Sequence, residues 1–393
     1  MNTEVAAARA ECGVDPDRAP SMRTSPPLAI VAAPVRRSGL RFGHAMMTAP
    51  MESTFKLPSD RPDPDQVLSV FGLEGSVQAV GSVAGAWSHR VYRFETTGGV
   101  FAVKEMRNPW GDAGWQEWLE EAWTFELAAI GAGVSAPRPV PNPTTGGPLG
   151  WVGRHDGTRD APVRVHHWVP GDRVGPGPVT PSVARWAGET LAVLHGLRVQ
   201  PVDRSRFPVI STATAQAWPA LVEAAGGARP EWAHDLANLG PAVATIAALA
   251  EATAAAPDQA EVVSHGDVDQ KNMVMGAGGP VLCDWDVAAP LVPRRELADV
   301  ALSLGAWEQL DIARQVIAAY RHAGGGHYAI EPADLGPAMM SGLDWLAINV
   351  ERAIGLRPAS DSEAGRSAGL VPGLISRLDG RVRLALQIDA VLN

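Results

Sequence analysis

The sequence has two cysteines in 393 residues, Cys12 and Cys283. A pair so sparse and so widely separated does not make a disulfide framework. Cys283 lies in an apolar stretch, where a buried, inert thiol is expected rather than a nucleophile. No apolar run approaches the roughly 18 residues that a membrane-spanning helix requires. The short apolar stretch 27–35 is interrupted by proline and followed by Arg36 and Arg37, which does not fit a signal peptide. Excess positive charge is missing too. The net charge is −10 and the pI is near 5.5, which argues against a nucleic-acid partner reached through bulk electrostatics and suits a cationic substrate. These absences predict a cytoplasmic protein with no membrane and no nucleic-acid partner; whether it is a monomer or homodimer the sequence leaves open.

Apolar residues make up 46% of the chain and charged residues 19%. That supplies core for one two-lobed domain or two ordinary ones. Residues 1–60 are rich in Ala, Pro, Arg and small polar residues without sustained periodicity, and are expected to form a disordered tail. Met46, Met47 and Met51 are alternative starts within it. From Gln66 the pattern changes. Strands are predicted over 77–83, 91–96 and 100–106, with a tight turn at Thr97-Gly98-Gly99. A helix is predicted over 115–131, its apolar stripe formed by Trp118, Ala122, Phe125 and Ala129. Another strand, 164–169, ends at Pro170-Gly171. Helices then dominate, over 183–197 and about 215–224, 240–255, 296–323, 333–355 and 370–392.

The most informative stretch runs from Ser264 to Asp286. Asp267 stands five residues before Asn272, and Asp284 twelve residues after it. Met273 to Met275 and Val281 to Cys283 read as two short strands around the turn residues Gly276 to Gly279. A hairpin folded about Ala277-Gly278 places Asn272 and Asp284 opposite one another at its open end, within a residue of register. Asp267 lies on the loop that feeds the first strand. One carboxylate that orients a hydroxyl, with an amide oxygen and a second carboxylate that hold magnesium, is the constellation of phosphoryl transfer.

His265-Gly266-Asp267, Asn272 and Asp284-Trp285-Asp286 resemble the catalytic core of the aminoglycoside phosphotransferase/choline kinase-like family of small-molecule kinases. The resemblance extends from about Gln66 to the C-terminus. It implies an α+β, protein-kinase-like two-lobed fold: an N-lobe over 61–165, with a small antiparallel sheet and one helix, and a mainly helical C-lobe over 166–393. It also implies ATP as co-substrate and Mg2+ as cofactor. Asp267 would then be the catalytic carboxylate, and Asn272 and Asp284 the metal ligands. Lys104, in Phe101-Ala102-Val103-Lys104, resembles the strand lysine that holds the α- and β-phosphates. Glu121 is the match for the glutamate that orients that lysine, with Glu126 as the alternative. Gly85 and Ser88 resemble the phosphate-covering loop. His166, Trp168 and Val169 fall on the linker between lobes, where adenine meets main chain.

Around this core the same resemblance casts His265 as a brace of the loop. Lys271 either neutralises the γ-phosphate or is a solvated loop residue. Asp286 is either a further metal or substrate ligand or a hairpin-exit residue, and Asp299 either braces the catalytic loop or binds substrate. Asp269 stands where protein kinases carry a lysine. Asp299 lies only fifteen positions after Asp284, too little room for the platform on which protein kinases bind a peptide. The acceptor pocket is expected on the C-terminal helices, with Asp344, Trp345, Asn349, Glu351 and Arg352 on shared faces, while the acidic run 361–363 is expected in a solvated loop. The function expected is phosphorylation of a hydroxyl on a small, cationic molecule, an aminoglycoside or related antibiotic first. The alternatives are a metabolite kinase acting on choline, homoserine or a sugar, and a nucleotide-binding scaffold without chemistry.

Overall fold

The computed structural model describes residues 57–83, 89–107, 114–207, 209–256 and 260–392. The predicted tail over 1–60 lies almost wholly outside these, as do Gly85 and Ser88. The described residues form the expected α+β architecture of two lobes. Helix α1 (Pro64–Phe71) opens the smaller lobe. The Asp63 side chain accepts from the Gln66 N–H at its start, Pro64 presets the first turn, and Gly72 ends it at φ 60°. Strands β1 (Val77–Val83), β2 (Arg90–Thr96) and β3 (Gly99–Glu105) follow as a meander, with Thr97-Gly98 as the two-residue turn between the last two. After helix α2 (Trp115–Gly131), strands β4 (Pro139–Val140), β5 (Gly150–Val152) and β6 (Ala161–His167) complete an antiparallel sheet of order β1-β2-β3-β6-β4, with β5 also on β6.

Strand alternation divides this sheet into two functional faces. Phe94, Phe101, Val103, Val163 and Val165 bury one face against Val67 and Phe71 of α1. The opposite face carries Ala102 and Lys104 on β3 and, directly across, His166 and Arg164 on β6. The period of two that builds the lobe's core therefore sends Lys104, Arg164 and His166 to the same side.

In the larger lobe, β7 (Asp172–Arg173) and helix α3 (Pro181–Gly196) precede α4 (Ala213–Ala228), α5 (Ala233–Asn238) and α6 (Gly240–Ala255). Strand β8 (Val262–Ser264) follows, then the hairpin of β9 (Met273–Gly276) and β10 (Gly279–Leu282), then β11 (Ala289–Leu291). The hairpin extends to β7 in the order β10-β9-β7, and β11 pairs with β8. Helices α7 (Pro293–Leu304), α8 (Leu310–His322), α9 (Gly336–Ala353), α10 (Asp361–Ala385) and α11 (Ile388–Leu392) complete the chain. One core runs through the lobe and includes Leu191, Ile246, Leu302, Val316, Leu346 and Val382. No helix among the described residues is long and apolar enough to cross a membrane.

Four features differ from the sequence expectations. The single helix predicted over 296–323 is two, because Ala306 and Trp307 take left-handed φ of 53° and 61°, which an α-helix does not pass through. The acidic run 361–363 is not a loop but the first turn of α10. There Ser360 and Glu363 close a capping box, and carboxylates favour the positive end of the helix. The predicted lobe boundary at 165/166 falls inside β6, which continues to His167. Finally, the predicted stripe of α2 does form, yet Ala122, Phe125 and Ala129 join the core of the larger lobe, and the Trp118 indole N–H donates to Ala288 O at 2.6 Å. Helix α2 thus packs on the larger lobe while its sequence neighbours build the sheet.

Helices α3 and α8 cross at Gly188, whose hydrogen faces Val316 O. A methyl group there would also come within 2.9 Å of Ala319 Cβ and of Tyr320 N. Backbone cannot yield as a side chain does, so Gly188→Ala is expected to lose about 2 kcal/mol or more in urea unfolding. A variant as stable as the parent would show that the crossing tolerates a wider separation.

Candidate active site

The hairpin turns where the spacing places it. Gly276 pairs with Gly279, Met273 with Leu282, and the Cys283 N–H donates to Asn272 O at 2.8 Å. Asp284 is therefore one residue beyond the position facing Asn272. It leaves the strand with φ 67°, a left-handed conformation that Asp tolerates better than most residues and that turns the chain into the short 3-10 turn Trp285–Val287. Gly266 is likewise left-handed, at φ 79°, and an added Cβ would lie 2.8 Å from Val287 O. The His-Gly-Asp form is a steric requirement here, since no residue with a side chain fits the second position without displacing that carbonyl.

Around Asp267 the loop closes on itself. Asn272 Nδ2 donates to Asp267 Oδ2 and to Asp267 O, both at 2.9 Å. The Lys271 ammonium lies 2.9 Å from Asp267 Oδ1. Lys271 is thus drawn into the site, not solvated on the loop. Burial pushes the Asp267 carboxyl above its ordinary value against the pull of Lys271. The Lys271 ammonium is opposed by burial, but Asp267 and Asp269 outweigh that and hold it charged. With its amide nitrogen occupied, Asn272 has its Oδ1 without a hydrogen bond among the described residues.

His265 is fully buried. Its Nδ1 accepts from the Asp267 N–H at 3.2 Å, so its Nε2 carries the proton donated to Cys283 O at 3.1 Å. The ring packs edge-on to Trp285, with centroids 4.7 Å apart, and burial holds it neutral. It ties the loop of Asp267 to the residue before Asp284. A second tie was not legible in the sequence. The buried Glu296 carboxylate accepts from the Gly266 N–H at 2.9 Å, and its other oxygen meets His195 Nε2 at 2.8 Å. His195 Nδ1 in turn meets the Tyr320 hydroxyl at 2.9 Å. Glu296 therefore holds the loop that the sequence expected His265 and Asp299 to brace. Asp299 is half-buried on the same helix, and its charge acts on Arg381 of α10.

The nucleotide side departs further from expectation. Lys104 Nζ lies 2.5 Å from Asp284 Oδ1 and also pairs with Asp286 Oδ2. Glu121, expected to orient Lys104, turns away from it. Its carboxylate accepts from the Val202 N–H at 3.2 Å and lies 3.7 Å from Arg206. The reason is helical phase: Glu126, five residues on, faces the sheet, and Glu121 faces the larger lobe. Glu126 does not touch Lys104 either. It binds Arg164 Nη2 at 2.6 Å and His166 Nε2 at 3.0 Å. His166 is thus a strand residue aimed at α2, not part of the linker. Trp168 and Val169 do follow β6 as an extended segment. The Trp168 N–H donates to Val100 O at 2.9 Å, and Arg93 stacks 5.5 Å from the indole centroid.

Asp286 is no solvent-facing exit residue. Its side chain is 6% exposed and pairs with both Lys104 and Arg164. Burial would push the Asp284 carboxyl up, but the Lys104 ammonium, then His89 and His265, outweigh it and hold it far below the usual carboxylate range. The thiol beside it, on Cys283, is pushed up to about 12 by burial, as expected of an inert cysteine. Among the acceptor candidates, Asp344, Trp345 and Asn349 are buried within α9, Asn349 donating to Trp345 O, and Glu351 pairs with Arg357 at 2.7 Å.

The donor set suits a hard cation shared with phosphates. Among the described residues no cluster of three or more His, Cys, Asp or Glu side chains forms a metal cage. An anionic Asp284 and the unengaged Asn272 Oδ1 supply two oxygens, the protein share that magnesium ordinarily takes at phosphate sites. One signal for this site lay in the sequence unread. The chain contains three lysines, Lys56, Lys104 and Lys271, and two of them converge here. A second was the polar pair Arg164 and His166 alternating with Val163 and Val165, which marks a strand with a wet or charged face.

Fold and site together define a small-molecule kinase of the two-lobed type. A sequence profile of the phosphotransferase enzyme family matches residues 80–332, and the chain belongs to that family. No curated protein matches it in sequence. Among solved structures it is similar to a spectinomycin phosphotransferase in complex with ADP and spectinomycin, at TM-score 0.59 and 11% identity, over 80% of this chain and 97% of that one. It is similar to a microcompartment-associated aminopropanol kinase at TM-score 0.55 and 17% identity, over 83% and 97%. It is also similar to an amicoumacin kinase bound to AMP-PNP and Ca2+, at TM-score 0.54 and 14% identity, over 80% and 94%.

The bracing role of Glu296 has a direct test. Glu296→Ala leaves the Gly266 N–H and His195 without a buried acceptor. The expected loss is about 3 kcal/mol of unfolding free energy, with a fall in turnover as the catalytic loop loosens. Parental stability and turnover would show that the loop is held without it.

Proposed function

We propose that the chain transfers the γ-phosphoryl group of ATP to a hydroxyl of a small molecule, with an aminoglycoside or related antibiotic as the leading acceptor class. The observation that carries this reading is the convergence of Asp267, Lys271, Asn272, Asp284 and Lys104 from two strand ends, one loop and the facing sheet. Asp267 orients the acceptor hydroxyl and takes its proton. Its raised affinity for protons, from burial, suits that task. Lys271, 2.9 Å from Asp267, lies where it can neutralise charge on the transferred group. Lys104 holds the α- and β-phosphates, and Asn272 and Asp284 are the magnesium ligands. When bound, magnesium offsets the charge that develops on the phosphate oxygens. An acidic chain favours a cationic acceptor. We place the reaction in the cytoplasm, where ATP is available, with neither membrane nor nucleic acid involved and the enzyme a monomer or homodimer.

A second reading has its own support. The similar structures include an aminopropanol kinase beside the antibiotic kinases, so a metabolite alcohol is the alternative acceptor. A nucleotide-binding scaffold without chemistry is the weaker alternative, because the lysine, both acids and the asparagine are all present, Lys104 paired with Asp284 and Asn272 with Asp267.

An ATP-consumption screen across aminoglycosides, other antibiotics, choline, amino alcohols and sugars separates these readings. Turnover with an antibiotic supports the first, turnover with a metabolite supports the second, and nucleotide binding without turnover on any of them supports the scaffold. With the acceptor in hand, Asp267→Ala should lower turnover by roughly 10²–10⁴-fold with little change in nucleotide affinity. Turnover near the parental rate would remove Asp267 from the chemistry. Asp284→Ala should abolish the magnesium dependence of nucleotide binding, and an unchanged magnesium titration would overturn its assignment as a ligand.

A further inference from the structure

The lysine that faces the phosphates is separated from the helix glutamate by two other side chains. Arg164 lies between them. It is 1% exposed in the middle of β6 and sits directly across from Lys104 in the strand register. Its guanidinium forks. Nη2 binds Glu126 on α2 at 2.6 Å, and Nη1 binds Asp286 Oδ1. The second oxygen of Asp286 meets Lys104 Nζ, which also lies 2.5 Å from Asp284. The charges alternate along the chain: Glu126, Arg164, Asp286, Lys104, Asp284.

We propose that Arg164 is a positioning residue, which passes the hold of Glu126 through Asp286 to Lys104 and so sets the lysine that grips the nucleotide. This rests on the phosphotransferase reading and deepens it. Three observations favour a relay over a plain structural ion pair. First, neither Glu121 nor Glu126 touches Lys104, so no glutamate of α2 orients it directly. Second, Asp284 is needed as a cation ligand, and a cation on its carboxylate weakens its hold on Lys104. Asp286 is the remaining anion on that ammonium, and it is itself fixed by Arg164. Third, Glu126 has no exposed surface, and the guanidinium and His166 account for both of its oxygens, so its carboxylate has nowhere to turn except toward Arg164. Burial disfavours the charged form of Glu126, but His166 and Arg164 outweigh it and keep the helix end of the relay anionic. A rigid fork suits this place because it holds two carboxylates on different elements at once, which a single ammonium cannot do.

A double-mutant cycle on nucleotide affinity separates relay from brace. The full chain is titrated calorimetrically with a non-hydrolysable ATP analogue and magnesium, and folding is followed by thermal melting. Arg164→Gln is expected to weaken binding about tenfold, within the usual range for coupled neighbours. Arg164→Lys, which restores charge without the fork, should stay nearly as weak. In a Lys104→Met background, Arg164→Gln should then change affinity by less than about twofold, because the residue it positions is gone. If Arg164→Gln does not fold, Glu126→Gln, close to isosteric, goes through the same cycle. It should weaken binding severalfold alone and have almost no effect beside Lys104→Met. Losses that multiply in the double variant would assign Arg164 to holding the fold alone and overturn the relay, as would parental affinity in the folded single variant. A parental chain that binds no nucleotide would overturn the donor reading, and this inference with it.

Discussion

Three carboxylates, one ammonium and one guanidinium meet with alternating sign, from the fully buried Glu126 to the 42%-exposed side chain of Asp284, and the rest of the site depends on that alternation. Glu126, Arg164 and Asp286 are not tolerable there alone, since an unpaired buried charge is far costlier than a paired one. Paired, they join three elements that the chain separates widely: helix α2, the sheet of the smaller lobe and the turn after β10. The same alternation keeps Asp284 ionised, because the attraction of Lys104 exceeds the penalty of burial. A carboxylate held charged and close to an ammonium is prepared for both a divalent cation and a phosphate chain, the two groups that would replace each partner for the other.

Around this centre the fold acts mainly as a frame for two loops. Left-handed residues at Gly266 and Asp284 bend the chain at the start of each. His265 links the loops through two hydrogen bonds, which also fix its tautomer. The buried run from Gly266 through Glu296 and His195 to Tyr320 anchors the first loop in the helical core. The loop that carries Asp267 thus inherits its position from helices α3, α7 and α8.

Much of this was legible before the structure. The hairpin register followed from glycine placement alone, so Asn272 and Asp284 came to its open end within a residue of register. The strands β1, β2 and β3 and helix α2 appeared where period two and the apolar stripe put them, since one face of each had to be buried. What was not legible depends on tertiary direction. Glu121 and Glu126 lie on one helix at different angles, and only the packing of α2 decides which of them faces the sheet. The break between α7 and α8 carries no proline. It arises from left-handed backbone at Ala306 and Trp307, which sequence periodicity does not register. The acidic run 361–363 looked like a loop because helix-starting carboxylates and solvated ones have the same composition. Only the capping partnership of Ser360 and Glu363 tells them apart.

The central claim is that Asn272 and Asp284 grip a divalent cation while Asp267 faces the incoming hydroxyl. The most direct measurement is a crystal structure with Mn2+ and a non-hydrolysable ATP analogue, in which the metal is located by its anomalous signal. The account predicts one strong peak within coordination distance of both Asn272 Oδ1 and the Asp284 carboxylate, with Lys104 moved from Asp284 to the phosphates. A peak at other residues, or a Lys104 still seated on Asp284 beside bound nucleotide, would contradict it.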